Sequence, residues 1–309
     1  MESVLRLSGL TKVYGSIRAL DGVSVEVPEG AVFGLLGPNG SGKTTLLSVI
    51  TGLVHRTAGT YAWKGAAENQ PSAQVAAIIE KANFLPKLRA EEQLGHMARL
   101  RGMDAQKRVA LIPQILEKVG LSGAADRPLR AFSLGMKQRF GIAALLLSDP
   151  RVLILDEPTN GLDPQGIIDI RQLIVQLAAE GRTIILASHL LDEVEKVCTH
   201  AAILKQGRLL EVRDLRAGSA AETEAGLLLE IGVPPENLPE LLRLLQQHEA
   251  VLSTQPAEAE GRLQLRLKPG TDAAALNRYL SGNGLYLSHL QQVHTRLETS
   301  FLKALEDRP

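Results

Sequence analysis

The stretch Gly37-Pro38-Asn39-Gly40-Ser41-Gly42-Lys43-Thr44, followed by Thr45, reads G-x-x-x-x-G-K-T, and the rest of the chain is read outward from it. Glycines at this spacing let successive backbone N–H groups turn inward with no Cβ in the way, which makes a cradle for phosphate. A lysine at the end of such a cradle reaches the β- and γ-phosphates, and the hydroxyl after it ligates Mg²⁺. The flanks agree. Val32-Phe33-Gly34-Leu35-Leu36 is an apolar run of the kind a buried strand uses, and residues 45–50 suit a helix whose N-terminus faces an anion. The stretch implies a nucleoside triphosphate site.

Upstream, residues 3–36 read as short strands with turns at Gly9, Gly15, Gly22 and Pro28-Glu29-Gly30. Downstream, residues 59–63 and 75–80 read as further strands. From about residue 90 to residue 148 apolar side chains recur three and four apart, as at Leu94, Met97, Ala98 and Leu100. A mostly helical insert, about residues 87–149, between strands of an α/β core predicts a helical subdomain.

Three further sites carry possible chemistry. Phe132-Ser133-Leu134-Gly135-Met136 opens an apolar helix, and its S-x-G segment serves either as a plain Ser N-cap or as an anion contact. Val152-Leu153-Ile154-Leu155-Asp156-Glu157 is a buried strand ending in two carboxylates. Beside a phosphate loop, that is where Mg²⁺ and an attacking water need acceptors; alone, it would be a solvated strand end. Thr183-Ile184-Ile185-Leu186-Ala187-Ser188-His189 puts a histidine at another strand tip, either structural or facing a γ-phosphate. Between them Asp163 caps, and Pro164 begins, a helix running to Gly181.

Around residues 219–226 the chain turns small and polar, as a linker does. Residues 227–309 follow in the order βαββαβ, ending in a helix at 297–305, which predicts a small α+β ferredoxin-like domain with a regulatory or dimer-contact role.

The bulk properties narrow the field. With 309 residues there is room for one large domain and a small one, and a formal net charge of zero removes any general electrostatic case for nucleic-acid binding. Residues 1–6 carry no secretory signal, and no apolar run approaches the roughly 20 residues a membrane helix needs. Cys198 is the only cysteine, so no intrachain disulfide forms; it reads as an inert, part-buried thiol in a reducing cytosol.

Taken in this order, phosphate loop, S-x-G helix start, Asp-Glu strand end, Gly161-Leu162-Asp163 turn and tip histidine, residues 1–218 resemble the ATP-binding cassette (ABC) family of ATPases. The resemblance implies an α/β phosphate-loop fold with a mixed sheet and a helical subdomain, binding ATP and Mg²⁺. It makes residues 37–45 the ATP cradle and Tyr14 the aromatic residue that stacks on adenine. Thr44 and Asp156 serve Mg²⁺, Glu157 polarises the water, and His189 is the switch histidine. Asp163 belongs to the D-loop, while Ser133 and Gly135 are the signature that completes the ATP site of a second cassette.

Two departures stand out. Glu80 occupies the family's Q-loop glutamine position, from which its carboxylate accepts from water or sits on Mg²⁺, and the signature carries Leu134 and Met136 where the family has Gly and Gln. Both are similar to the bacitracin- and lantibiotic-export subgroup, as is the ending at residues 296–302. The resemblance therefore implies the ATPase subunit of an exporter of drug, antibiotic-peptide or lipid type, paired with another cassette (a homodimer in the simplest case). It would lie in the cytoplasm, peripheral on the inner face of the cell membrane. A separately encoded permease would dock on the 80–89 loop and helical subdomain. The other class that stays open is a non-transport ABC clamp in a cell-surface, motility or repair complex.

Overall fold

The computed structural model describes residues 2–80, 83–216, 227–257 and 261–292. The chain divides into two compact units, Met1–Arg213 and Asp214–Pro309. The first begins with β1 (Ser3–Tyr14), β2 (Ile17–Pro28), β3 (Val32–Leu36), α1 (Lys43–Ile50), β4 (Ala58–Trp63) and β5 (Val75–Ile78). Helices α2 (Ala90–Leu100), α3 (Ala105–Lys118) and α4 (Leu134–Leu146) form the expected helical insert. Then come β6 (Val152–Asp156), α5 (Pro164–Ala179), β7 (Thr183–Ser188), α6 (Leu191–Val197), β8 (His200–Lys205) and β9 (Arg208–Asp214).

A six-stranded sheet runs in the order β5-β6-β7-β3-β8-β9, with parallel pairing from β5 through to β8. Strands β3, β6 and β7 are buried at every residue, which is why they read as unbroken apolar runs rather than alternating ones. Because β6, β7 and β3 are neighbours, the segments leaving their C-terminal ends emerge side by side: Asp156-Glu157, His189 and the phosphate loop. Motifs more than 100 residues apart in sequence thus meet at one sheet edge, where open α/β sheets bind ligands.

A second, antiparallel sheet has the order β2-β1-β4. Its inward side chains, among them Leu5, Leu20, Val23 and Trp63, share one core with Phe33 and Ile154 of the six-stranded sheet and Leu47 of α1. Trp63 is buried there, and its indole N–H donates to the Ile50 carbonyl at 2.9 Å, tying β4 to the end of α1. Gly9 and Gly22 are not turns. They lie inside β1 and β2 at positive φ, 58° and 69°, Gly9 at the register shift between Leu7 and Leu10 and Gly22 at that between Leu10 and Lys12. Bulges of this kind bend a long strand without ending it, and a glycine alone does not tell a bulge from a turn.

The second unit contains β10 (Leu228–Gly232), α7 (Leu238–Gln247), β11 (Val251–Pro256), β12 (Arg262–Leu267), α8 (Ala273–Gly282) and β13 (His289–Gln292). Its sheet, ordered β11-β12-β10-β13, is antiparallel at every pairing, and Leu229, Ile231, Leu244, Leu265, Leu276 and Leu280 fill its core. The last strand begins at His289, and Leu285 ahead of it is a buried core residue. The expected linker at 219–226 and the terminal helix at 297–305 lie outside the described residues.

Candidate active site

The phosphate loop leaves β3 and enters α1 through Gly42, whose φ of 105° only glycine adopts readily. A Cβ on Gly42 would lie 2.6 Å from the Ala19 carbonyl oxygen, so the loop is pressed against the β1–β2 layer. Gly42→Ala is therefore expected to lower stability by roughly 2–3 kcal/mol and to loosen nucleotide binding, read by thermal unfolding with and without ATP. From the other side, the turn between β8 and β9 clamps the loop. Gly207 donates its N–H to the Ser41 carbonyl at 2.9 Å and accepts from Asp21 at 2.8 Å. The sequence reading missed this contact, since a Gln206-Gly207 hairpin turn looks like any other.

A cavity of about 450 Å³ opens over the loop, lined by Tyr14, Ile17, residues 39–45, Glu157 and Gln206 among others. Tyr14 is half-exposed at its mouth with Lys12 Nζ 4.6 Å from the ring centroid, so the ring presents a π-face already used by one cation. A slightly larger cleft, about 470 Å³, lies among Glu29, Lys64, Arg151 and Arg182 and holds none of the candidate site residues.

Lys43 is buried. Its ammonium donates to the carbonyls of Gly37 at 2.7 Å and Pro38 at 3.3 Å and lies 3.5 Å from the Glu157 carboxylate. The other Glu157 oxygen is 2.7 Å from His189 Nδ1. With Glu157 ionised, Nδ1 carries the proton and donates it. One carboxylate is thus held between an ammonium and an imidazole, and its backbone sits at φ 49°, a left-handed conformation unusual for a side-chain-bearing residue. That strain marks a position where geometry is held for a purpose.

Asp156 is almost fully buried. Its Oδ2 accepts from the Thr44 hydroxyl at 2.7 Å, while Oδ1 is buried with no hydrogen-bond partner. Burial pushes the carboxyl above its ordinary range; the Thr44 hydroxyl, Lys43 and the backbone N–H of Glu80 pull it back, and Glu157 adds to the rise. An orphaned carboxylate oxygen beside a hydroxyl is a pair of hard donors that suits Mg²⁺. Among the described residues no group of three or more His, Cys, Asp or Glu could hold a metal alone.

The structure places the other named residues differently. Glu80, at φ 62°, brings its backbone N–H to Asp156 while its side chain is exposed. Asp163 caps α5, accepting from the Gly166 N–H at 3.0 Å. Ser133 caps α4, accepting from the Met136 N–H at 3.2 Å. Ser133, Gly135 and Asp163 do not line the cavity; Gly135 lies beside Leu162 and Gly166 instead. Cys198 is buried, and burial together with Glu193 pushes its thiol up to about 12, so it is inert.

This fold and site define a phosphate-loop nucleotide-binding enzyme. The ABC transporter family profile matches residues 20–160. An uncharacterized ABC transporter ATP-binding protein of Bacillus subtilis (strain 168), YdbJ, is 36% identical over 98% of this chain and 96% of its own length. The bacitracin transport ATP-binding protein BcrA of Bacillus licheniformis is 40% identical over 68% of this chain and 70% of its own. The lantibiotic transport ATP-binding protein SrtF of Streptococcus pyogenes is 38% identical over 67% and 89%. Among solved structures, a dimeric post-hydrolysis ATP-binding cassette bound to ADP and Pi aligns with a TM-score of 0.62 and 26% identity, over 69% of this chain and 99% of that one. The chain belongs to the ABC transporter ATP-binding protein family and is an ABC ATPase.

Proposed function

We propose that this chain powers an exporter of drug, antibiotic-peptide or lipid type, as one of two cassettes sharing a pair of ATP sites beneath a separately encoded permease. The observation that carries the hydrolytic part is the convergence of Lys43, Thr44, Asp156, Glu157 and His189 at one sheet edge. ATP lies in the cavity over residues 37–45 with its base against Tyr14. The loop N–H groups and Lys43 take its phosphates. Thr44 and Asp156 would hold Mg²⁺, with Glu80 close enough through its backbone to adjust Asp156, and the ion would supply neutralisation of phosphate charge. Glu157 orients the water that attacks the γ-phosphorus, and His189 stabilises the charge on the γ-phosphate. Tyr14→Ala is expected to weaken ATP binding about fivefold, from roughly 1 kcal/mol of stacking, in a direct nucleotide titration.

The pairing is supported by the geometry of the signature. Ser133 and Gly135 lie away from the cavity of their own chain, which suits residues that serve a partner's ATP. A second copy is the simplest partner. Export is supported by likeness to relatives named for bacitracin and lantibiotic transport. Among the described residues no helix is long and apolar enough to cross a membrane, so the pathway would lie in a partner. The 80–89 loop and the helical insert, where Leu85, Leu100 and Val109 are each exposed, would carry the contact with that partner. Tagged chain isolated from detergent-solubilised membranes should bring down an integral membrane protein. Recovery entirely in the soluble fraction with no such partner would contradict export.

A further inference from the structure

Behind the Glu157–His189 pair lies a second carboxylate that the ATP chemistry described above does not use. Glu193, on the first turn of α6, is 3% exposed. One of its oxygens, Oε2, accepts from two hydroxyls: that of Thr159, in a very short bond, and that of Ser188 at 3.3 Å. Its other oxygen, Oε1, is buried with no hydrogen-bond partner. Thr159 and Ser188 are themselves buried. The Ser188 hydroxyl also accepts from the Leu190 N–H at 3.0 Å, so it braces both sides of His189.

The placement of these hydroxyls is specific. Thr159 stands two residues after Glu157, in the turn where the Asn160 N–H donates to the Glu157 carbonyl and the Leu162 N–H to that of Thr159. Ser188 is the last residue of β7, immediately before His189. Glu157 itself is held at φ 49°, with its N–H on the Ala187 carbonyl at 3.0 Å. A buried carboxylate with half its acceptor capacity unused is costly to keep. We infer that Glu193 is a positioning residue: by gripping Thr159 and Ser188 together it sets the distance and angle between Glu157 and His189 for the hydrolytic step. The same grip joins the turn leading to Asp163 with the α6 end of the His189 segment, so these two segments move as one. Glu193 touches neither the cavity nor the reacting atoms, and its effect reaches them only through the two backbones. The inference rests on Glu157 and His189 being the pair that acts on ATP.

The test compares Glu193→Gln, Glu193→Leu, Thr159→Val and the Thr159→Val/Glu193→Leu double variant, with Glu157→Gln alongside, for kcat, ATP Kd and Tm. Glu193→Leu and Thr159→Val should each lower kcat about tenfold or more, with ATP Kd within about twofold of the wild type. Tm should change little in Glu193→Leu, because relief of a buried carboxylate with one unpartnered oxygen offsets the loss of acceptor for the Thr159 and Ser188 hydroxyls. The double variant should be no slower than the worse single one, since both break one link. Glu193→Gln, which still accepts through its amide oxygen, should keep most of kcat. Full kcat in Glu193→Leu would overturn the inference, as would multiplied losses in the double variant or an equal loss in Kd and kcat. If Glu193→Leu does not fold, Thr159→Val decides: wild-type kcat there overturns it. Retained turnover in Glu157→Gln would instead sink the underlying assignment of the pair.

Discussion

Glu157→Gln should reduce ATP turnover by about two to four orders of magnitude while leaving ATP affinity close to that of the wild type. The amide keeps the shape and can still receive the His189 N–H, which reaches the carboxylate at 2.7 Å, but it cannot take a proton from the attacking water. Affinity should hold because the cradle of residues 37–45 and the Tyr14 face remain. Removing the charge also frees Lys43 from the carboxylate 3.5 Å away, which favours its turning toward phosphate. With binding intact and hydrolysis stopped, the variant should accumulate as an ATP-bound dimer in gel filtration. Near-wild-type turnover would remove Glu157 from its assigned place.

Lys43→Ala is expected to act on the other half of the balance, weakening ATP binding by about 30- to 100-fold, in line with loss of a charge-assisted contact of roughly 2–3 kcal/mol. Lys43 is the cation within the loop, its ammonium bonded to the Gly37 and Pro38 carbonyls. Its loss also strips those carbonyls of their donor, so the loop should become less ordered. Hydrogen exchange at residues 37–45 would report that, and nucleotide titration the affinity. Unchanged binding would place the phosphates elsewhere.

The site was legible in the sequence where chemistry forces both residue type and local setting. The loop glycines, Lys43, Thr44 and the Asp156-Glu157 strand end are read directly, because a buried β run ending in acids beside such a loop has few other uses. The six-stranded sheet was legible for a related reason: strands covered on both faces leave unbroken apolar runs. Other features depend on distance in the chain. Nothing local to Glu193, Thr159 or Ser188 shows that they share hydrogen bonds, since 34 positions separate Thr159 from Glu193. Likewise, Gly9 and Gly22 announced positive φ but not whether the strand would turn or bulge. Glu80 was singled out for its carboxylate, yet what it brings to Asp156 here is a backbone N–H. Asp163 and Ser133 kept the capping roles that their neighbours suggested.

A site shared between two cassettes can be rebuilt by mixing two inactive variants. Lys43→Ala spoils the cradle but keeps the signature; Ser133→Arg spoils the signature but keeps the cradle. Loss of the Ser133 cap costs about 1 kcal/mol, so both variants should still fold. In an equal mixture half the dimers are mixed, and each mixed dimer has one intact composite site. ATPase activity should therefore recover from near zero to about a quarter of the wild-type rate per chain. A mixture that stays as inactive as its two parents, or a Ser133→Arg variant that hydrolyses ATP normally by itself, would contradict a site completed by a second cassette.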